Sequence, residues 1–235
     1  KGVAVYAPDL RWHGTYPQYN DDVNMFHIDS YDTYARDIDR YYAEIRKNYP
    51  DTPIFIIGHS NGALIALYYG LTIGKDRNCA GYILSSPWIK NKVSVSLPLV
   101  LISKLIKLFN PRFAVEPAPL TDILTHDKEI TARHHADEAS GLRSSKVTVG
   151  LAAASEKAQA FVTKHIKEWG NTPVIAFIAG KDELADPQVS NQVLNSITAA
   201  PVTLHNYPEN FHENFNELNR DEIFAKIDEW MQDKI

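Results

Sequence analysis

The chain has 235 residues, of which 44% are hydrophobic and 23% charged, which is typical of a globular protein with one large core. Its net charge of −5 gives no electrostatic basis for binding nucleic acid. The single cysteine, Cys79, excludes an internal disulfide framework, and we expect it to lie in the core. No group of cysteines and histidines has the spacing of zinc ligands, so the sequence predicts no metal site.

The first part of the chain predicts an alternation of strands and helices. A short strand is expected at residues 3–7, followed by a loop over 10–28 without apolar period. Ser30 is placed to cap a helix whose apolar residues recur at helical spacing, and Pro50 ends it. A second apolar run, residues 53–57, predicts the next strand.

The pattern Gly-x-Ser-x-Gly follows this strand at residues 58–62, with Ser60 at its centre. The pentapeptide alone is weak, and a glycine-rich turn with an exposed serine is the alternative. A strand before it and a helix after it, to about Gly70, are the context of a nucleophile elbow. The helix would direct its N-terminal N–H groups and positive dipole end at the serine. A third strand is predicted at 80–84.

Residues 89–170 interrupt the alternation, and we interpret them as a helical cap inserted into a core formed by 1–88 and 171–235. The most apolar stretch of the cap, residues 93–109, is too short to span a bilayer comfortably. The adjacent histidines His134 and His135 are not spaced as metal ligands, and we expect both on a helix surface.

Within the apolar stretch, Leu97, Leu101 and Leu105 recur at helical spacing, with Lys104 and Lys107 among them. Such a helix would line a tunnel for an acyl chain or rest on a membrane surface. A helix simply packed against the core is the competing interpretation. The three leucines are therefore candidate substrate-binding residues.

The alternation resumes in the last third of the chain. Strands are predicted at 173–179 and 202–205, separated by a helix that begins at Asp186 and Pro187. An amphipathic helix over residues 223–231 ends the pattern. Continuous apolar strands separated by helices predict an α/β fold with a mostly parallel sheet covered on both faces.

A serine hydroxyl becomes a useful nucleophile when a base, most often histidine, accepts its proton, and a carboxylate orients that base. Asp182 follows the strand at 173–179, and His212 follows the strand at 202–205. The order Ser60, Asp182, His212 is that of the α/β-hydrolases. These three residues are the predicted catalytic set.

Several neighbours compete for these roles. Glu183 and Asp186 share the loop of the acid, but Asp186 is better placed as a helix N-cap. His205 lies inside a strand. His59 and His13 are assigned to substrate binding, with a loop hydrogen bond as the alternative for His13.

One further carboxylate follows the predicted base. Glu217 lies five positions after His212, and we expect it to tie down the loop by accepting backbone N–H bonds. Its role is therefore predicted to be structural rather than chemical.

The chain resembles the lysophospholipase and monoacylglycerol-lipase branch of the α/β-hydrolases. The matching stretches run nearly from end to end: residues 7–11 with 13–14, 58–62, 124–127, 180–187, and 212–213 with 217. The resemblance implies Ser60 as nucleophile, Asp182 as acid, His212 as base, a cap that admits one acyl chain, and no cofactor. Two residues depart from the family pattern: Trp12 stands in place of a glycine, and Asn61 in place of a common methionine.

The resemblance also implies a second oxyanion donor. One donor is the backbone N–H of Asn61, and the family takes the other from a His-Gly loop upstream of the strand at 3–7. A family strand from that upstream region lies between the strands at 3–7 and 53–57. We therefore expect an N-terminal segment outside this chain to complete the sheet and the oxyanion site.

The predicted function is hydrolysis of the carboxylic ester of a single-acyl lipid, a lysophospholipid or a monoacylglycerol. Short-chain carboxylesterase, acyltransferase and small-substrate peptidase remain alternatives on the same scaffold, because function depends on the cap pocket. A non-catalytic binding protein is the alternative from another class. The expected location is cytoplasmic or peripheral to a membrane, with the cap as the surface that would contact it.

Overall fold

The computed structural model of the protein describes residues 2–11, 25–93, 96–116, 120–143 and 146–235. The strands are β1 (Met25–Phe26), β2 (Phe55–His59), β3 (Gly81–Ser85), β4 (Ala114–Val115), β5 (Lys146–Thr148), β6 (Val174–Ala179) and β7 (Val202–Tyr207). The helices are α1 (Tyr31–Asn48), α2 (Asn61–Leu71), α3 (Leu97–Phe109), α4 (Lys128–Ala139), α5 (Val149–His165), α6 (Pro187–Asn195) and α7 (Arg220–Gln232).

The main sheet has four parallel strands in the order β2, β3, β6, β7. Its two central strands, β3 and β6, are buried along their whole length because helices cover both faces. This is the predicted α/β class. Because parallel strands end at the same edge, the loops after β2, β6 and β7 lie together, and they carry Ser60, Asp182 and His212.

Alternate side chains of β3 enter two different hydrophobic clusters. Tyr82 and Leu84 pack in the larger cluster, to which α1, α2, α5 and α6 contribute. Ile83 points to the other face and packs with α7 through Ile227 and Trp230. The two-residue period of a strand therefore divides one apolar run between the two faces of the sheet.

A second, small sheet that the sequence did not indicate has the order β1, β5, β4. β1 pairs with β5 in parallel, and β4 pairs with β5 in antiparallel orientation. His27 follows β1 and hydrogen bonds through Nδ1 to Thr148 Oγ1 at 2.9 Å. The same Thr148 hydroxyl caps α5, so this sheet fixes the start of that helix.

The strand predicted at residues 3–7 is wrong: residues 2–10 form no strand, and Val5 is 82% exposed. A strand needs a neighbour for its backbone groups, and none of the described strands pairs with this segment. β2 likewise pairs with β3 on one side and with no described strand on the other. We call this unpaired side the free edge of β2, where Ile57 is 58% exposed.

The segment predicted as a cap packs in two different ways. α5 joins the main core through Ala154, Ala158 and Val162, all buried. α3 lies on α5 and presents most of its apolar side chains to solvent. The division at 89–170 stays a prediction, because core and cap packing both occur within it. No helix among the described residues is long and apolar enough to cross a bilayer.

Candidate active site

Ser60 occupies a sharp turn between β2 and α2, with φ 52° and ψ −114°. Its N–H donates to the Ser85 carbonyl at 2.9 Å, which ties the turn to the end of β3. A Cβ on Gly58 would lie 2.5 Å from the Gly62 carbonyl oxygen, so this position requires glycine, whereas a Cβ on Gly62 would meet open space. The strained backbone of the serine is the geometry expected of a nucleophile elbow.

α2 begins directly after Ser60, so its first N–H groups lack intrahelical partners and mark the positive end of the helix. Asn61 is the first residue of this helix, and its side-chain Oδ1 accepts a hydrogen bond from the Tyr31 hydroxyl at 2.5 Å. Burial raises the pKa of Tyr31 to about 12, so the phenol stays protonated and remains a donor. The Tyr31 oxygen also lies 3.1 Å from Ser155 Oγ on α5.

Asp182 and His212 form a buried pair at the carboxyl ends of β6 and β7. His212 Nδ1–H donates to Asp182 Oδ2 at 2.7 Å. The other carboxylate oxygen of Asp182 accepts the backbone N–H groups of Leu184 and Ala185 at 2.8 and 2.9 Å. The carboxylate is thus fixed from two sides, and it leaves Nε2 of the imidazole as the nitrogen that can accept a proton.

The structure brings two of the three predicted catalytic side chains into contact. The Ser60 hydroxyl makes no hydrogen bond to a residue that the structure describes. The His212 ring lies next to the elbow, since its centroid is 4.8 Å from that of His59, the residue before Ser60. Catalytic hydrogen bonds are often long or poorly aligned without substrate, so the missing bond does not exclude Ser60 as the partner of His212.

His59 lies beside the predicted base. Its Nδ1 is 3.0 Å from Ser85 Oγ, and its ring also contacts Phe215. Burial lowers the pKa of His59 to about 3, with a further contribution from His212. A neutral imidazole at this position packs against His212. The predicted role of His59 in substrate binding stays a prediction.

Residues 208–217, here called the histidine loop, are held by a buried carboxylate. Glu217 Oε1 accepts the N–H of Phe211 at 2.8 Å, and Oε2 accepts the N–H of His126 at 3.3 Å. The His126 ring bonds to the same carboxylate and stacks on Phe211. The predicted structural role of Glu217 is therefore confirmed.

Glu213 and His134 form a second buried contact, which the sequence analysis missed. His134 Nε2 lies 2.8 Å from Glu213 Oε2, so the expectation that His134 is a surface residue was wrong. Burial raises the pKa of Glu213, but hydrogen bonds from Asn216 and His134 outweigh this and lower it overall. The only available signal was the position of Glu213 directly after the predicted base.

The remaining predicted residues fall in several places. Asp186 caps α6 by accepting the N–H groups of Gln188 and Val189, as predicted. Leu101 and Leu105 on α3 are 65% and 59% exposed, so they do not pack against the core. Their role in substrate binding stays a prediction.

Four further positions were also singled out in the sequence. His13 and Trp12 lie outside the described residues. Leu97 begins α3, and its side chain is likewise not described. His205 lies in β7 with its ring stacked on Phe177.

A parallel sheet, a strained serine between a strand and a helix, and a buried acid–histidine pair on later loops define an α/β-hydrolase. The family model described as serine aminopeptidase, S33 (Hydrolase_4) matches residues 1–219, so the chain belongs to this family. Within the α/β-hydrolases it belongs to the lysophospholipase and monoacylglycerol-lipase branch, and it is a carboxylic ester hydrolase.

The chain is similar to phospholipase YtpA of Bacillus subtilis, with 28% identity over 229 residues, 95% of this chain and 82% of that protein. It is 24% identical to a monoacylglycerol lipase of Mycolicibacterium smegmatis, over 98% of this chain and 78% of that protein. A crystal structure of a soluble variant of the Saccharomyces cerevisiae monoglyceride lipase with a substrate analog shares the fold. Its TM-score is 0.77 at 19% identity, over 96% of this chain and 76% of that chain.

Proposed function

We propose that Ser60 is the nucleophile, His212 the general base and Asp182 the residue that orients it. The observation that carries this proposal is the buried 2.7 Å bond between His212 Nδ1 and Asp182, beside the strained turn of Ser60. His212 Nε2 takes the hydroxyl proton while Ser60 Oγ attacks the ester carbonyl. The imidazolium then protonates the departing alcohol, and water, deprotonated by the same imidazole, releases the acid from the acyl-enzyme.

The proposed substrate is a lipid with one acyl chain in ester linkage, such as a lysophospholipid or a monoacylglycerol. Two observations support this choice. The similar proteins from Bacillus and Mycolicibacterium carry the names phospholipase and monoacylglycerol lipase. In addition, α3, which lies in the predicted cap, exposes a row of apolar side chains: Leu99, Leu101, Ile102, Leu105, Leu108 and Phe109.

The same helix is the proposed contact with a lipid surface. Lys104 and Lys107 lie among its exposed apolar residues, which is the composition of a helix that rests in a membrane interface. The apolar side chains would enter the acyl region, while the ammonium groups remain near the phosphates.

The oxyanion site is proposed to combine the backbone N–H of Asn61 with a second donor from an additional strand-and-loop segment. The free edge of β2 supports this, because an unpaired parallel edge beside an exposed Ile57 has backbone groups available for a further strand. One oxyanion donor contributes about 10²–10³ in rate, so the segment that supplies the second donor would raise kcat by this factor.

The proposal is tested on full-length protein with a fluorophosphonate probe and a panel of esters. Labelling of wild type at Ser60, loss of labelling in Ser60→Ala, and a preference for long monoacyl esters would support it. Equal turnover of wild type and Ser60→Ala would exclude Ser60 as the nucleophile. Absence of labelling in the wild type would favour a binding protein.

The family description gives one further function a specific basis, because it names a serine aminopeptidase. An aminoacyl arylamide in the same panel distinguishes it: hydrolysis of the arylamide without hydrolysis of monoacyl esters would favour the peptidase. A preference for acetate or butyrate esters would instead favour a short-chain carboxylesterase, and transfer of the acyl group to an added alcohol would favour an acyltransferase.

A further inference from the structure

Two consecutive residues at the end of β3 contact both halves of the candidate active site. The Ser85 carbonyl accepts the N–H of Ser60 at 2.9 Å. The next residue, Ser86, donates its hydroxyl hydrogen to the backbone carbonyl of His212 at 2.6 Å. Two adjacent residues, Ser85 and Ser86, therefore join the turn that carries the nucleophile to the loop that carries the base.

Ser86 has an unusual backbone for a serine. Its φ of 44° lies in the left-handed region, where among the described non-glycine residues it is joined only by Ser60. Such a conformation is costly for a residue with a Cβ and persists only when the surroundings fix it. Glycine would adopt it more easily, so the serine here holds a conformation that costs backbone strain.

Asn214 completes the arrangement from the histidine loop. Its Nδ2 donates to Ser86 Oγ at 3.1 Å and to the Phe177 carbonyl at 3.0 Å. The N–H of Ser86 donates to the same carbonyl at 2.9 Å. Asn210 in turn donates to Asn214 Oδ1 at 2.9 Å. Ser86 and Asn214 are buried, so these bonds are protected from competition with water.

We propose that Ser86, supported by Asn214, is a positioning residue that sets the distance between the Ser60 hydroxyl and the His212 imidazole. This inference rests on the proposed function of Ser60 and His212. Ser86 touches no reacting atom. It acts on the main chain of His212, while Asp182 holds the ring of the same residue. The main chain of His212 is thus fixed by the residue after β3, and its ring by a residue in the loop after β6.

The hydrogen bonds of Ser86 predict that its loss lowers the rate of the chemical step and leaves substrate binding nearly unchanged. Without the Ser86 hydroxyl, the His212 carbonyl keeps only the N–H of Asn214, at 3.2 Å, which belongs to the histidine loop itself. The loop then loses this tie to the end of β3 and can shift relative to Ser60. A misplacement of about 1 Å lowers the chemical step by up to about a hundredfold. We expect Ser86→Ala to lower kcat, and the rate constant of fluorophosphonate labelling, by about ten- to a hundredfold, with KM changed less than twofold.

The matched control is Ser190→Ala. Ser190 is equally buried, and its hydroxyl donates to the backbone carbonyls of Pro87 at 3.0 Å and Asp186 at 2.9 Å. Neither of these partners belongs to the histidine loop. Both variants lose a buried hydroxyl, so both melting temperatures should fall, whereas only Ser86→Ala should lose kcat. Ser86→Gly should be as slow as Ser86→Ala although its backbone is relaxed.

The outcomes separate the two proposals. If wild type labels and Ser86→Ala keeps the kcat of Ser190→Ala, the positioning role is overturned while the proposed function stands. If wild type does not label, the proposed function fails first, and the positioning role fails with it. Should Ser86→Ala not fold, Ser86→Gly and Asn214→Ala decide: normal kcat in both overturns the role, and reduced kcat with unchanged KM supports it.

Discussion

The histidine loop carries the proposed base, and α3 belongs to the predicted cap; the two regions are built on opposite principles. In the loop, the side chains of Asn210, Glu213, Asn214 and Glu217 are buried, and each has hydrogen-bond partners. In α3, the apolar side chains face solvent over most of the helix. One region is fixed by directional polar contacts, and the other offers apolar surface without a described partner.

This difference indicates how the chain divides its tasks. Buried polar groups need every partner in place, so a loop of this kind fixes one geometry and is sensitive to each substitution. Apolar surface is non-directional, and its contribution grows with the area removed from water. We therefore expect chemistry to depend on single contacts in the loops, and substrate preference to depend on the summed surface of α3.

The largest effect is expected at the acid. Asp182→Asn keeps the shape of the side chain but replaces the acceptor of the His212 Nδ1–H with a group that favours the wrong tautomer. The comparable change in serine proteases lowers kcat by about 10⁴, and we expect a similar fall here. Steady-state kinetics on a monoacyl ester measures it.

Asp186→Asn is the matched control, because Asp186 lies on the same loop and caps α6. Asparagine also caps helices well, so activity should stay near that of wild type. If Asp182→Asn retained more than a tenth of the activity, the carboxylate would not orient the base, and the strict geometry assigned to the loops would be wrong.

The positions of Ser60, Asp182 and His212 just after strand ends were predictable because each follows an apolar run, whereas their catalytic roles stay a proposal. Ser86 and His134 were not predictable, because their roles depend on which loops the topology places beside them. The α/β class followed from alternating strand and helix patterns, but residues 3–7 did not form a strand. An apolar run specifies a strand only when a neighbour is available to pair with it.

Glu217→Ala tests whether the loop depends on its buried carboxylate. The substitution leaves the N–H groups of Phe211 and His126 without their acceptor, and one unsatisfied buried donor costs about 1–3 kcal/mol. We expect the free energy of unfolding to fall by about 2–4 kcal/mol, measured by urea denaturation. Glu209→Ala, which removes an exposed partner of Lys181, should leave it nearly unchanged because water screens an exposed ion pair.

His59, beside the proposed base, should contribute to the pH dependence of stability. His59 has its pKa lowered to about 3 by burial and by His212, against an ordinary value of 6.5. A lowered pKa in the folded state stabilises the protein above pH 6.5, and this stabilisation is lost as pH falls from 6.5 towards 3. Between pH 6 and 4 the free energy of unfolding of wild type should fall more steeply than that of His59→Asn, by up to about 1.4 kcal/mol per pH unit.

His59→Phe distinguishes titration from the hydrogen bond to Ser85, since it removes both and fills the same space. It should show the same reduced slope as His59→Asn, whatever its stability at neutral pH. Parallel stability curves for wild type and both variants would mean that His59 gains no proton in this pH range. The predicted contribution of His59 to the acid sensitivity of the fold would then be wrong.

The smallest effect is expected on α3 and depends on the substrate. In Leu101→Ser/Leu105→Ser two exposed side chains become polar, so the melting temperature should be unchanged. Burying one leucine side chain contributes about 1.5–3 kcal/mol. If these side chains enter lipid, the double variant loses part of that binding energy, and the rate on long-chain monoacyl esters in vesicles should fall about tenfold. The rate on a short soluble ester should not change. Leu218→Ser, which alters an equally exposed leucine outside α3, should leave both rates unchanged. Equal losses on long and short esters would instead mean that α3 supports the catalytic geometry, and the contrast between a region for chemistry and a region for lipid would no longer hold.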